Sequence, residues 1–283
     1  MLGAALVSPW IYMAIHWAAA NWGGVALNYL AEHPFYRVFN RVLQVELILG
    51  IGFFLKRDGF FSWQALGFKR VNVTASLLFG LGSSVVLMVL FSAVLLGLGW
   101  QRWETPGAGL AALASRIMAT AVAVSLFEEI LFRGYFYQLC RRQFSFRTAV
   151  TINMVVFSLV HFVKPSKEQE IVMWSSGFKM LALACRRFAA PMEILGGLLV
   201  VAMVAWILCW SVERTRSLWL ALGVHAGLIC AQQWNASWTH PATTWPAWVL
   251  GGGDLRDGIV TLVPLAIQFC LLRWWAGRNA LAL

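Results

Sequence analysis

Glu128 and Glu129 stand side by side in the run from Val122 to Arg133, which is otherwise apolar enough to lie inside a bilayer. A charged side chain at the centre of a spanning helix costs roughly 2.5–3.5 kcal/mol even on the lenient insertion scale, so chains keep such groups where they pair, line a wet cavity or do chemistry. Two adjacent acids with an arginine four residues on therefore mark the first place to look for function. Phe157-x-x-x-His161 closes a Val- and Phe-rich segment, and His225 lies in the apolar stretch from Ser217 to Gly227. Glu129 and Arg133 have the favourable i,i+4 order, acid first, and can neutralise each other. Glu128, about 100° further around a helix, is left to face elsewhere. A desolvated carboxylate is a better base toward water than a surface one. Two histidines can hold that water, relay its proton or donate to a developing oxyanion. The same three side chains, Glu128, His161 and His225, are also a possible zinc-binding set. No H-E-x-x-H signature is present, so the usual zincin pattern lends that option no support.

The elements that must position these groups are membrane helices. The chain has 283 residues, 60% hydrophobic and 12% charged, where a soluble domain carries about 25% charged residues. The reading is an all-α polytopic membrane protein forming a single domain over 1–283. Apolar runs at about 2–20, 38–55, 73–99, 109–138, 148–163, 192–212, 217–234 and 257–274 give an expected eight spans, at about 20 residues per crossing. The first run lacks a basic leading segment and reads as a retained span rather than a signal peptide. Between 164 and 191 the spacing predicts a loop with an interfacial or re-entrant helix. Many of the sixteen tryptophans fall between the runs, as an interfacial belt does.

Net charge is +10, and the basic clusters near Lys56, Arg141, Arg214 and Arg273 alternate with the spans so as to fall on one face. That face reads as cytoplasmic, with both termini on it, although Lys164, Lys167, Lys179, Arg186 and Arg187 would lie opposite. Cationic charge of this kind sets orientation; nucleic acid is excluded as a partner. Cys140, Cys185, Cys209, Cys230 and Cys270 form no C-x-x-C pair and suggest neither a disulfide framework nor a structural zinc site.

Depth brings the polar groups together. Glu128 lies thirteen residues before Arg141, His161 fourteen after Arg147 and His225 nine after Arg216. These separations are roughly 20, 21 and 14 Å along a helix, all near the middle of a core about 30 Å thick. Each group also has a plain structural use: a histidine can pack, Glu129 with Arg133 can be an ion pair alone, and Glu46 can snorkel or pair.

On these residues the sequence resembles the CPBP family of intramembrane proteases, which includes the type II CAAX prenyl endopeptidases and the Abi group linked to bacteriocin immunity. Glu128, Glu129 and Arg133 match its E-E-x-x-x-R, Phe157 and His161 its F-x-x-x-H, and His225 the start of its third motif, within a core at about 110–235. The resemblance implies hydrolysis of a membrane-associated protein or peptide in the bilayer. Glu128 is then the general base, His161 positions the same water, His225 stabilises the oxyanion, and Glu129 with Arg133 holds the geometry. Ile229 stands where the family often has Asn; isoleucine donates no hydrogen bond, and Gln232, on nearly the same helical face, is the expected substitute. A non-catalytic immunity or interaction protein and an ion- or proton-coupled transporter are the alternatives, the latter disfavoured by the lack of an internal repeat.

Overall fold

A computed structural model describes residues 1–70, 72–107, 109–163, 171–242, 245–251 and 255–279. Its α-helices in chain order are α1 (Leu2–Trp22), α2 (Val25–Ala31), α3 (Phe35–Arg57), α4 (Val73–Gly97), α5 (Leu110–Glu129) and α6 (Gln138–Gln143). They continue with α7 (Phe146–Phe162), α8 (Ser176–Ala184), α9 (Pro191–Thr215), α10 (Trp219–Trp238), α11 (Ala247–Leu250) and α12 (Leu262–Asn279). A π-helix over Ile130–Tyr137 joins α5 to α6, so that Leu110–Gln143 runs as one helix of 34 residues.

The all-α membrane architecture agrees with the sequence. Among the described residues, six helices are long and apolar enough to cross a bilayer: α1, α3, α4, Leu110–Gln143, α9 and Ile259–Arg278. Two of the eight expected spans are not among them. α7 is apolar but has only 17 residues, about 25 Å of helix. In α10 the hydropathy is diluted by His225, Gln232, Gln233 and Asn235, and its Leu220, Val224 and Ala231 are covered by neighbouring helices rather than left for lipid. α4 behaves oppositely: Leu78, Val86, Leu90 and Val94 are exposed, as the lipid-facing surface of a span is. The apolar helices make this an integral membrane protein.

The chain divides into two compact units. The first comprises Met1–Asp58 and His161–Pro191. Its core sets Ala4 and Ala5 of α1 against Phe39 of α3 and Met180 of α8. Glu46 accepts hydrogen bonds from the Ala4 N–H at 2.9 Å and the Met1 amino group at 3.0 Å, satisfying donors that the start of α1 would otherwise leave open. Its use is structural. The predicted non-spanning helix within 164–191 is α8, whose nine residues cover about 14 Å; residues 164–170 lie outside the described residues.

The second unit comprises Gly59–Val160 and Met192–Leu283. Its central pair is α4 with α10. A Cβ on Gly223 would lie 2.3 Å from the Leu77 carbonyl oxygen, and one on Gly227 would lie 2.6 Å from that of Leu81. Only a bare Cα–H fits there, which is how helices without a hydrophobic driving force between them gain dispersion contact. His225 sits between these two glycines, so its depth and rotation are set by the α4 contact. β1 (Gln101–Trp103) pairs antiparallel with β2 (Thr239–Pro241) and ties the far ends of the same two helices; the sequence reading did not anticipate this strand pair. On α5 one residue per turn is buried: Leu113, Ile117, Ala121, Ser125 and then Glu129. Glu129 thus ends an inward stripe of otherwise apolar or small side chains.

Replacing Gly223 with leucine is expected to push α10 off α4 and lower stability by about 1–3 kcal/mol, as overpacking does. Thermal unfolding of the purified protein in detergent measures it, and unchanged melting would show that the two helices do not approach this closely.

Candidate functional site

Three elements bring the site groups together within the second unit. α5 and the π-helix supply Glu128, Glu129 and Arg133, α7 supplies Phe157, and α10 supplies His225. Glu129 and Arg133 have no exposed side-chain surface, whereas the Glu128 side chain is 21% exposed. The one-residue step between the two acids separates their surroundings.

Glu129 is the hub. Arg133 Nη1 donates to its Oε1 at 3.0 Å, and His225 Nδ1 lies 2.7 Å from the same oxygen. Against a carboxylate oxygen, which only accepts, His225 Nδ1 is the donor in the second contact. This assigns the ring's orientation and leaves Nε2 turned toward Glu128, whose Oε2 is 3.6 Å away. With Nε2 also protonated, His225 is a cation between two carboxylates, and the four groups sum to zero charge. Neutral His225 has only a lone pair on Nε2. Donation from that nitrogen therefore requires the imidazolium.

Phe157 closes the cluster from α7. Its ring lies 4.1 Å from the Arg133 guanidinium carbon, meets Phe132 edge to face at 4.9 Å, and stands 6.2 Å from the His225 ring. The face of an aromatic ring is a favourable surface for a desolvated cation. This contact gives the phenylalanine of the second motif a use: it covers the arginine of the first. His161 follows four residues later on the last turn of α7, where the chain passes into the first unit. Gln232 is half-buried on α10, about 10 Å along the helix beyond His225, and Ile229 is half-buried between them.

Two parts of the site went unseen in the sequence. The first is the π-helix, which starts directly after Glu129. Such i→i+5 segments disturb the regular ladder and recur at functional sites. The second is the set of side chains that accept this disturbance. Asn153 on α7, fully buried, donates from Nδ2 to the Phe132 carbonyl at 2.9 Å, and Cys209 on α9 approaches Asn153 Oδ1 at 3.3 Å. Gln138 Nε2 donates to the Gly134 carbonyl at 2.9 Å and to that of Leu66 at 3.1 Å. A buried asparagine in an apolar helix was the available signal for Asn153, and its partner is a backbone oxygen that side-chain motifs do not reveal.

Among the described residues no group of three or more His, Cys, Asp and Glu side chains is arranged to hold a metal ion. Of the two carboxylates, Glu129 already meets a guanidinium and an imidazole N–H through one oxygen.

Residues 110–230 match the family described as Type II CAAX prenyl endopeptidase Rce1-like. The matched segment contains Glu128, Glu129, Arg133, Phe157, His161 and His225, and it agrees with the resemblance carried by the motifs. It supports an intramembrane endopeptidase of the CAAX type in general, a protease acting on membrane-associated substrates. No curated protein and no solved structure matches the chain.

Glu129→Gln removes the charge that Arg133 and His225 share. The variant is expected to lose about 3–5 kcal/mol of stability, because Arg133 is left buried without its anion. Glu129→Gln with Arg133→Met should recover part of that loss, since no bare charge then remains. Chemical unfolding of both variants decides it; equal stability of the single variant and wild type would mean the pair is not held in the interior.

Proposed function

We propose, taking that family match as premise, that the chain cleaves a peptide bond of a membrane-associated protein or peptide by glutamate-activated water. The observation carrying this reading is the division of labour between adjacent acids. Glu129 is wholly buried and committed to Arg133 and His225, while the Glu128 side chain keeps 21% exposure and sets its Oε2 3.6 Å from His225 Nε2.

In the proposed sequence Glu128 takes a proton from water, and the resulting hydroxide attacks the scissile carbonyl carbon. The carbonyl oxygen becomes an oxyanion, toward which protonated His225 donates from Nε2. Collapse breaks the C–N bond, and Glu128 passes its proton to the leaving amine. Glu129 does no bond-making: it holds the His225 ring. Gln232 is the second candidate donor, in place of the polar side chain that Ile229 cannot supply. His161 keeps the water-positioning role that the resemblance gives it. A metal-free route is the favoured form of this reading, with zinc as the alternative. By the positive-inside rule both termini are placed on the cytoplasmic side.

Glu128→Gln should lower peptide cleavage by about 10²–10⁴-fold while the protein still folds and inserts. Cleavage of a membrane-associated peptide by purified wild type and variant is the measurement, and unchanged turnover removes Glu128 from the mechanism. His161→Ala tests the water-positioning role in the same assay.

A further comparison isolates the oxyanion donors. Gln232→Leu should slow single turnover by something like the 10²–10³-fold seen when one such donor is lost, and Ile229→Asn should preserve or raise it. If Gln232→Leu and His225→Ala both cleave normally, the assignment of this helix to the oxyanion is wrong.

A further inference from the structure

The ends of three helices and one loop in the second unit surround an open cavity of about 400 Å³, set apart from the carboxylate cluster along the helix that carries both. Lys69, Arg141, Arg142 and Arg216 line it against a single carboxylate, Glu213. That carboxylate is already committed. Tyr137 Oη donates to it at 2.7 Å, and Arg141 donates from Nε at 3.2 Å and from Nη2 at 3.1 Å. Arg141 spends its Nη1 on the Phe144 carbonyl at 2.8 Å, so Arg141, Glu213 and Tyr137 form a tied wall.

Lys69 and Arg216 bring positive charge to the opening. Lys69 makes no ion pair among the described residues; its backbone carbonyl is fixed by the Trp219 indole N–H at 2.8 Å. Arg142 lies over the Phe60 ring at 4.1 Å. Arg216 is 70% exposed, and its nearest approach to Glu213 is 3.7 Å. Its backbone adds an independent observation. Arg216 directly follows the end of α9 with φ at 53°, a left-handed conformation that side-chain-bearing residues seldom adopt. Glycine is the usual residue after a helix end of this kind. The strained position is thus occupied by a residue that lines the basic cavity.

We propose that this cavity holds the phosphate of an anionic phospholipid headgroup. The charge and the fork of guanidinium donors suit a phosphate diester. The location selects lipid over a dissolved ion: the cavity lies where α6, α9 and the approach to α4 leave the apolar spans, and basic pockets among helix ends are where such headgroups bind. Phe61 and Trp63, on the loop that carries Lys69, are 72% and 64% exposed, as aromatic side chains in the headgroup region are.

The test titrates the purified full chain in detergent with short-chain phosphatidylglycerol, phosphatidylcholine or inorganic phosphate. Melting temperature and lipid retention by native mass spectrometry are the readouts. Phosphatidylglycerol should raise the melting temperature and be retained, phosphatidylcholine should do neither, and inorganic phosphate should act only weakly. Lys69→Gln with Arg216→Gly should bind phosphatidylglycerol more weakly by roughly fivefold for each cation removed. Its melting temperature without lipid should be no lower than wild type, because glycine relaxes the backbone at 216; Lys69→Gln alone checks the result if the double variant folds poorly. Equal retention of the two lipids, undiminished binding by both variants, or an inorganic phosphate response matching the lipid's would overturn the proposal. So would displacement of bound phosphatidylglycerol by a peptide with a free C-terminal carboxylate. Cleavage is not among the readouts, so this test stands or falls apart from the proposed protease activity.

Discussion

One oxygen of Glu129 meets both Arg133 and His225 with no exposed surface on the acid or the arginine. Taking two charges out of water costs several kcal/mol each, and their mutual attraction offsets this only with good geometry and further partners. Here the further partners are His225 on the acid and the Phe157 face on the arginine. Neither partner can be removed without leaving a bare charge on the other. The interaction therefore constrains α5, the π-helix, α7 and α10 at once: any slip of one element by a turn breaks a contact that nothing in hydrocarbon would replace.

The backbone is shaped to that constraint. Glycines at 223 and 227 let α10 approach α4 until carbonyl oxygens would meet any Cβ, which fixes where His225 can stand. On the opposite side of the hub, the π-helix departs from the regular ladder immediately after Glu129. The side-chain donors Asn153 and Gln138 then reach the carbonyls of Phe132 and Gly134 inside that segment. Polar satisfaction matters more here than in a soluble protein, because a backbone oxygen in lipid has no water to fall back on. The irregular segment is thus held between α7 and the loop that carries Leu66.

The paired acids and their depth were legible in the sequence because a charge in an apolar run is conspicuous and helical rise is nearly constant. Membrane spans were legible for the same reason where lipid covers them. The run at 217–234 was read as a span too, but α10 is not among the helices apolar enough to cross, because protein covers much of it and burial among helices tolerates His225, Gln232 and Asn235. The π-helix was not legible, since Ile130 to Tyr137 carries the same kinds of residue that an α-helix would. The small residues at 223 and 227 were visible on either side of His225, but their meaning depended on which helix came against them.

Two adjacent glutamates in a membrane helix look redundant until the helix's rotation is considered. About 100° separates successive side chains, so a single helix cannot bury both acids in the same environment. Glu129 falls on the inward stripe defined by Leu113, Ile117, Ala121 and Ser125, and it meets Arg133 at 3.0 Å. Glu128 falls beside that stripe, with its Oε2 3.6 Å from His225 Nε2 and its side chain 21% exposed. Exchanging their roles would require turning α5 and losing the stripe that packs it. On the proposed reading, the acid that stays available for proton transfer is chosen by helix packing well away from the chemistry: the period of α5 buries one glutamate and thereby leaves its neighbour beside His225.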